Sequence, residues 1–380
     1  MTKSTVHDVI VAGVGGMGAA ACWHLARRGL RVLGLERFDI PHAMGSSHGV
    51  NRIIRMAYFE HPAYVPFVRR AYDLWREAEV VGGEQLLFTT GGIDAGPPDG
   101  RVIKGSLAAC RQHGLAHQLL DAGELRARFP GWSLPDDHVA VLQPEGGFVA
   151  CERAVVVHAN LAVAAGADLR TGEALTGWRV TGAGTVEVTT ARGRHEAGRL
   201  VLSTGAWIAD HVPALAGKAV AERQVLGWFR PRRPEHFTLG RFPVGLVDAK
   251  PLIYVFPEWG VPGFKIGVYN HLRESGPADG LSREPTARDE EFLRRSLRAY
   301  FADADGALLD MQACLFTNTP DEHFVIDSLP DAPQVTVASP CSGHGFKFAP
   351  AVGEALADLV TGTPAKVDLG LFRLGRLATG

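Results

Sequence analysis

The glycine run near the start of the chain constrains its fold more than any other feature. Gly13-Val14-Gly15-Gly16-Met17-Gly18 spells GxGxxG directly after the apolar stretch 8–12 and at the head of a helix-forming segment, 19–28, that Gly29 stops. A second strand-like stretch, 31–35, runs into Glu36. Strand, glycine turn, helix and strand predict a βαβ unit with parallel strands. In that setting Gly13 permits the tight turn, Gly15 lets the backbone approach a pyrophosphate, and Gly18 lets helix and strand pack closely. The helix N-terminus favours phosphate charge, and Gly16 and Met17 are expected at the cofactor with the other residues of the run. Glu36 is placed to accept hydrogen bonds from both ribose hydroxyls, which suits FAD or NAD better than a 2′-phosphorylated cofactor. The run alone does not separate FAD from NAD, but its position within the first twenty residues suits folds that wrap an extended FAD.

The rest of the chain alternates between two patterns. Residues 45–55 are polar and glycine-containing and read as a loop, feeding a helix over 64–78. From 82 to 148 the pattern is mixed, with a strand at 86–89 and a helix near 107–113. A helix over 154–165 and strands at 177–180, 185–190 and 200–203 return to the nucleotide-binding pattern. Strand-like runs at 225–230, 252–256 and 264–268 then predict a sheet that forms one wall of a cavity, and 286–300 reads as a charged helix. A strand at 334–338, a loop over 339–348 and a helix at 351–360 complete the first domain. The expected fold is α/β with an α+β substrate domain: a three-layer, Rossmann-like nucleotide domain interleaved with a sheet-rich domain. The boundaries expected are 1–85, 150–215 and 322–380 for the first, 86–149 and 216–321 for the second.

Charge and composition narrow the partners. The net charge of −2 comes from mixed basic and acidic residues, which lacks the basic footprint that nucleic acid or an anionic membrane requires. A small molecule is the expected partner and a monomer the expected state. No apolar run of eighteen residues is free of charge, and residues 1–8 hold no apolar secretory core, so the cytoplasm is the expected location. The five cysteines are odd in number and scattered, with no CxxC pair, which argues against a disulfide framework and a zinc site. No metal is expected.

Five motifs in order resemble the family of monomeric sarcosine oxidase and N-methyltryptophan oxidase. They are 45–55 (Gly-Ser-Ser-His-Gly-Val-Asn-Arg-Ile-Ile-Arg), 203–207, 264–267, 313–317 with 321–324, and Gly343-His344-Gly345-Phe346-Lys347, so the likeness spans almost the whole chain. It implies FAD, held among Gly13 to Gly18, Glu36, Arg37, Ser46 and Ser47 on one side and Gly343 to Lys347 on the other. It also implies a thioether from Cys314 to the flavin, although a lone cysteine between apolar neighbours is ordinarily inert. Cys341 is the competing thiol but does not match the attachment motif. Arg52 and Arg55 stand three apart and would share one face of a helical turn. By resemblance Arg52 lies against the flavin, while Arg55 and Lys347 bind the substrate carboxylate, for which a planar guanidinium is suited. Lys265, in an apolar stretch, matches a lysine that activates oxygen; its alternative is to face solvent. His48 matches a histidine near the flavin, His344 lies toward its pyrimidine end, and Tyr254 matches an active-site tyrosine.

One position departs. The family pattern has a histidine four residues after the lysine, where this chain has Tyr269, which keeps a hydrogen-bond donor but changes size and removes a titration near neutral pH. The expected function is an FAD-dependent oxidase of a secondary amine acid such as sarcosine, an N-methyl amino acid or a cyclic imino acid, with O2 as acceptor and H2O2 as product. The alternatives are a dehydrogenase of the same fold with another electron acceptor, and a non-catalytic nucleotide-binding module.

Overall fold

The computed structural model of the chain describes residues 7–379. Residues 1–6, part of the stretch read as holding no secretory core, lie outside the described residues, as does Gly380.

The βαβ opening is present. His7–Ala12 runs parallel to Val32–Leu35 on one side and to Gly193–Leu202 on the other. Ala332–Ser339 and Asp168–Arg170 extend the parallel core outward. Such a strand is covered on both faces, which is why it reads as an unbroken apolar run rather than an alternating one. Val9 and Val11 join the core beneath the helices Gly16–Ala26, Cys151–Ala164 and Ala349–Thr361. Ile10 and Ala12 join the opposite core, under the hairpin of Leu175–Val180 and Val186–Thr190. Gly353 is where two of the helices approach most closely: a Cβ there would stand 2.6 Å from the main chain of Ala20.

A second eight-stranded sheet is ordered Leu308–Asn318, Val220–Phe229, Phe264–Val268, Ile253–Phe256, Val244–Val247, Gly92–Gly96, Val139–Gln143 and Gln118–Asp121. Its core is aromatic, with Trp132, Phe237, Phe242, Phe264 and Phe301 fully buried. The helix Ala287–Tyr300 packs on it and is started by a capping box between Thr286 and Asp289. A three-stranded sheet, Asn51–Ile54 with Gly147–Ala150 and Leu87–Thr89, stands apart from both.

The structure corrects the sequence reading at 45–55, where the loop holds the strand Asn51–Ile54. Its partner Gly147–Ala150 lies almost a hundred residues away, so the local polarity of Asn51 and Arg52 conceals the pairing. Arg52 and Arg55 therefore do not share a helical turn. Arg52 is on the strand, and Arg55 follows where the chain leaves it. The motif around Cys314 is also a strand interior, in the eleven-residue Leu308–Asn318.

Candidate functional site

A cavity of about 450 Å³ opens at the glycine turn, within the range of small-molecule sites. Gly13 has φ +89°, a conformation that favours glycine, and a Cβ there would meet the Ser203 carbonyl at 2.5 Å. At Gly18 a Cβ would overlap the Gly13 carbonyl, so helix and turn touch main chain to main chain. Gly15, Gly16 and Met17 line the cavity, while Gly18 packs behind it. Glu36 is buried at the cavity edge, its carboxylate fixed by the Val14 amide at 2.8 Å and the Phe38 amide at 3.0 Å. Ser47 Oγ accepts from the Gly16 amide at 3.1 Å, and Ser46 Oγ donates to the Leu315 carbonyl at 2.6 Å, tying the 45–48 loop to the Cys314 strand. Arg37 lies at the rim, paired with Asp279 at 3.0 Å. Cys341, Gly343, Gly345 and Phe346 also line it, Phe346 against the glycine turn.

These residues fit FAD. A side chain at Gly16 would strike the Phe346 ring at 2.8 Å, so backbone alone lines that point. The first turn of a helix leaves amides unpaired for a phosphate, and the buried Thr204 hydroxyl on the cavity wall has no partner among the described residues.

A second cavity, of about 70 Å³, meets the first across Arg52, Phe316, Gly343 and Phe346, which line both. Arg55, Glu60, Tyr254, Tyr269, Cys314, His344 and Lys347 complete its polar or reactive lining. Arg55 is buried and meets both Glu60 oxygens, at 2.7 and 2.8 Å, while its Nη1 donates to the Ala57 carbonyl at 2.7 Å. Asp94 stands 4.0 Å from its Nε. Burial pushes the Glu60 carboxyl up, but Arg55, His344 and Lys347 outweigh it and hold it below the usual range. Burial pushes Asp94 up. The Lys347 ammonium is pulled down to about 7, by burial first and then by the charge of Arg55. Tyr269 donates its hydroxyl hydrogen to the Ser342 carbonyl, so it joins the end of Phe264–Val268 to the loop that carries Lys347. Tyr254 lies over Gly267 on the neighbouring strand, where any Cβ would meet its ring.

Two residues singled out from sequence, Lys265 and His48, line neither cavity. Lys265 is buried, not solvent-facing; its ammonium donates to the Gly49 carbonyl at 2.6 Å and to Asn51 O and Oδ1 at 2.8 and 2.7 Å. Burial and the charge of Arg52 pull it well below the usual ammonium range. His48 is buried, and burial with the Arg52 charge lowers it to about 4 against the opposing pull of Glu152 and Gln312. Cys314 lines the small cavity and Cys341 the large one. Burial raises both thiols, Cys341 to about 11, while Arg52, Lys265 and Arg283 act in the opposite direction on Cys314.

Sequence reading missed, as site residues, Glu60 in the small cavity, Tyr58 within reach of Lys347, and His42, Trp207 and Asp279 in the large cavity. No pattern in the sequence marks Glu60, because the burial that pairs it with Arg55 comes from the fold. Among the described residues no group of three or more His, Cys, Asp or Glu is placed to hold a metal, and no helix is long and apolar enough to cross a membrane.

A cavity at the glycine turn joined to a small one lined by Arg55, Glu60 and Lys347 is the layout of a flavoenzyme, and the chain belongs to the family of FAD dependent oxidoreductases, which matches over residues 8–359. Among curated relatives it is 41% identical to monomeric sarcosine oxidase of Streptomyces avermitilis, over 99% of each chain. It is 33% identical to N-methyl-L-tryptophan oxidase of Yersinia pestis, over 97% of this chain and 99% of that one. Among solved structures it is similar to NikD, an unusual amino acid oxidase essential for nikkomycin biosynthesis, with a TM-score of 0.82, 26% identity and 97% of each chain covered.

Proposed function

We propose that the chain is an FAD-dependent oxidase of a small secondary amine acid, sarcosine, an N-methyl amino acid or a cyclic imino acid, giving an imine and H2O2 from O2. The observation that carries this reading is the small cavity, which joins the cofactor cavity across Arg52 and presents Lys347 and Arg55 to an anion. FAD, when bound, supplies a two-electron acceptor that oxygen can regenerate. The chain's own residues do the rest. Lys347 and Arg55 hold the carboxylate, and an incoming carboxylate competes with Glu60 for the Arg55 fork. Tyr254, whose hydroxyl has no hydrogen bond among the described residues, faces the amine end. Tyr269 already donates to Ser342, so with Phe316, 5.1 Å away, it acts there as an apolar wall rather than as a substitute imidazole. His48 and Arg52 border the cofactor. Lys265, held by the Gly49 carbonyl and by Asn51, serves as the oxygen-activating residue that the family resemblance implies. Cys314 holds FAD as a thioether. The nucleotide domain takes 1–85, 150–215 and 322–380, the substrate domain 86–149 and 216–321, and the protein works as a cytoplasmic monomer.

The test is peroxide formation by purified protein with a panel of N-methyl and cyclic amino acids. Peroxide with at least one of them is expected. Reduction of an artificial dye without peroxide would transfer the reading to a dehydrogenase, and inertness toward every amine acid would overturn it.

A further inference from the structure

Lys347 reaches the small cavity at the end of a chain of hydrogen bonds whose chemistry fixes the place of each proton. His344 Nε2 lies 3.0 Å from the Glu322 carbonyl. A carbonyl only accepts, so Nε2 carries the ring hydrogen and Nδ1 keeps its lone pair. Burial, with Lys347 and Arg55 nearby, lowers this imidazole to about 4 and keeps it neutral. Tyr58 Oη is 2.6 Å from Nδ1 and therefore donates to it, with the His344 carbonyl a longer second acceptor at 3.2 Å. The phenol oxygen is left to accept, and Lys347 Nζ reaches it at 3.5 Å. A second ammonium hydrogen goes to the His344 carbonyl at 2.8 Å. The third has no acceptor among the described residues.

We propose that Tyr58 and His344 are positioning residues that keep the Lys347 ammonium charged and aimed into the small cavity, as the anchor for a substrate carboxylate. This rests on the reading of that cavity as an amine acid site. Around Lys347, Arg55 opposes its charge, while Glu60 and Asp94 favour it. Trp75 Nε1 fixes its main chain by donating to the Lys347 carbonyl at 2.8 Å. The Tyr58 ring is held independently of its hydroxyl, with the Arg55 guanidinium on its face at 4.6 Å and Tyr64 stacked at 4.7 Å. Tyr58→Phe thus keeps the packing and removes only the oxygen. Without that acceptor the charged form of Lys347 is less favoured, so its proton leaves at lower pH.

The experiment uses flavin-loaded protein titrated with acetate and read by the change in the visible flavin spectrum, from about pH 5.5 to about pH 8.5. In the wild type, acetate binding weakens as pH rises through about 7, by up to about tenfold per unit. Tyr58→Phe is expected to move that break about one unit toward acid, so binding is about tenfold weaker at the alkaline end and equal at the acid end. His344→Leu is expected to move it less, in the same direction, because the His344 main-chain carbonyl remains to orient Tyr58; it also serves should Tyr58→Phe fail to load flavin. A flavin-loaded Tyr58→Phe with an unmoved break overturns the proposal. Lys347→Met should abolish the break. If it leaves the wild-type break in place, or if acetate does not bind the wild type at all, the amine acid reading of the cavity fails instead.

Discussion

Arg55 and Glu60 show how one pair serves both folding and binding. Both side chains are almost wholly buried and meet at 2.7 Å. Removing one partner leaves an uncompensated buried charge, so Arg55→Met is expected to destabilise the protein by about 3–5 kcal/mol in denaturant titration. Replacing both, Arg55→Met with Glu60→Met, should restore most of that stability without restoring carboxylate binding. If the double variant is as unstable as the single one, Arg55 is held by more than its charge partner. Cys314 makes a second residue-scale prediction: Cys314→Ala should yield protein whose flavin is freed by acid precipitation, whereas Cys341→Ala should retain it. Flavin that stays bound after acid treatment of Cys314→Ala would move the attachment elsewhere. The glycines of the turn were legible in the sequence because local geometry requires them, and Lys265 because it stands out among apolar neighbours, whereas Arg52, Arg55 and Lys347 were singled out by family resemblance alone. Glu60 was not, because its meaning comes from a guanidinium that the fold buries beside it.

At the scale of elements, one close approach sets where the phosphate-side helix sits. A Cβ at Gly353 would lie 2.6–2.8 Å from the main chain and Cβ of Ala20 and the amide of Ala21, atoms that cannot swing aside. Gly353→Ala gains about 1 kcal/mol of helix propensity, but overpacking of about 1–3 kcal/mol opposes it. A net loss of stability is expected, with weaker flavin retention, because Gly16–Ala26 carries the phosphate-facing turn. Unchanged melting and unchanged flavin content would show that the helices separate freely. The long parallel strands and the helices over them could be read from the chain because period and length identify them. Asn51–Ile54 escaped because a short polar strand is specified by its partner, Gly147–Ala150, and not by its own pattern. Leu308–Asn318 escaped because most of its residues are only half-buried at its first end, which blurs the alternation.

The whole molecule buries several imidazoles without offering them carboxylate partners, and this sets its response to acid. Among the described residues His24 and His158 have no hydrogen-bond partner at either ring nitrogen, His48 is buried beside the Arg52 charge, and His344 is committed as a neutral ring. Burial lowers all four: His48 and His344 to about 4, His158 to about 3, and His24 well below its usual value. Unfolded, each titrates near 6.5. Between about 6.5 and the folded values the unfolded chain holds more protons, so stability falls as pH falls, by about 1.4 kcal/mol per unit for each ring that stays neutral. The carboxylates act later: Glu354, held to about 2 by Arg70 and Lys366 against its burial, loses its contribution only below about 4.5. Acid unfolding should therefore begin well above the carboxylate range, with the urea midpoint falling steeply from about pH 6.5 to about pH 5 and Glu354 adding to the loss below that. His158→Leu, which removes one ring packed between Trp23 and Trp75, should flatten this decline from about pH 6.5 down to about pH 3, where the folded ring takes up its proton. A midpoint that stays level from about pH 6.5 to about pH 5 would mean that these rings find protons or partners in the folded protein, and that its acid limit belongs to its carboxylates alone.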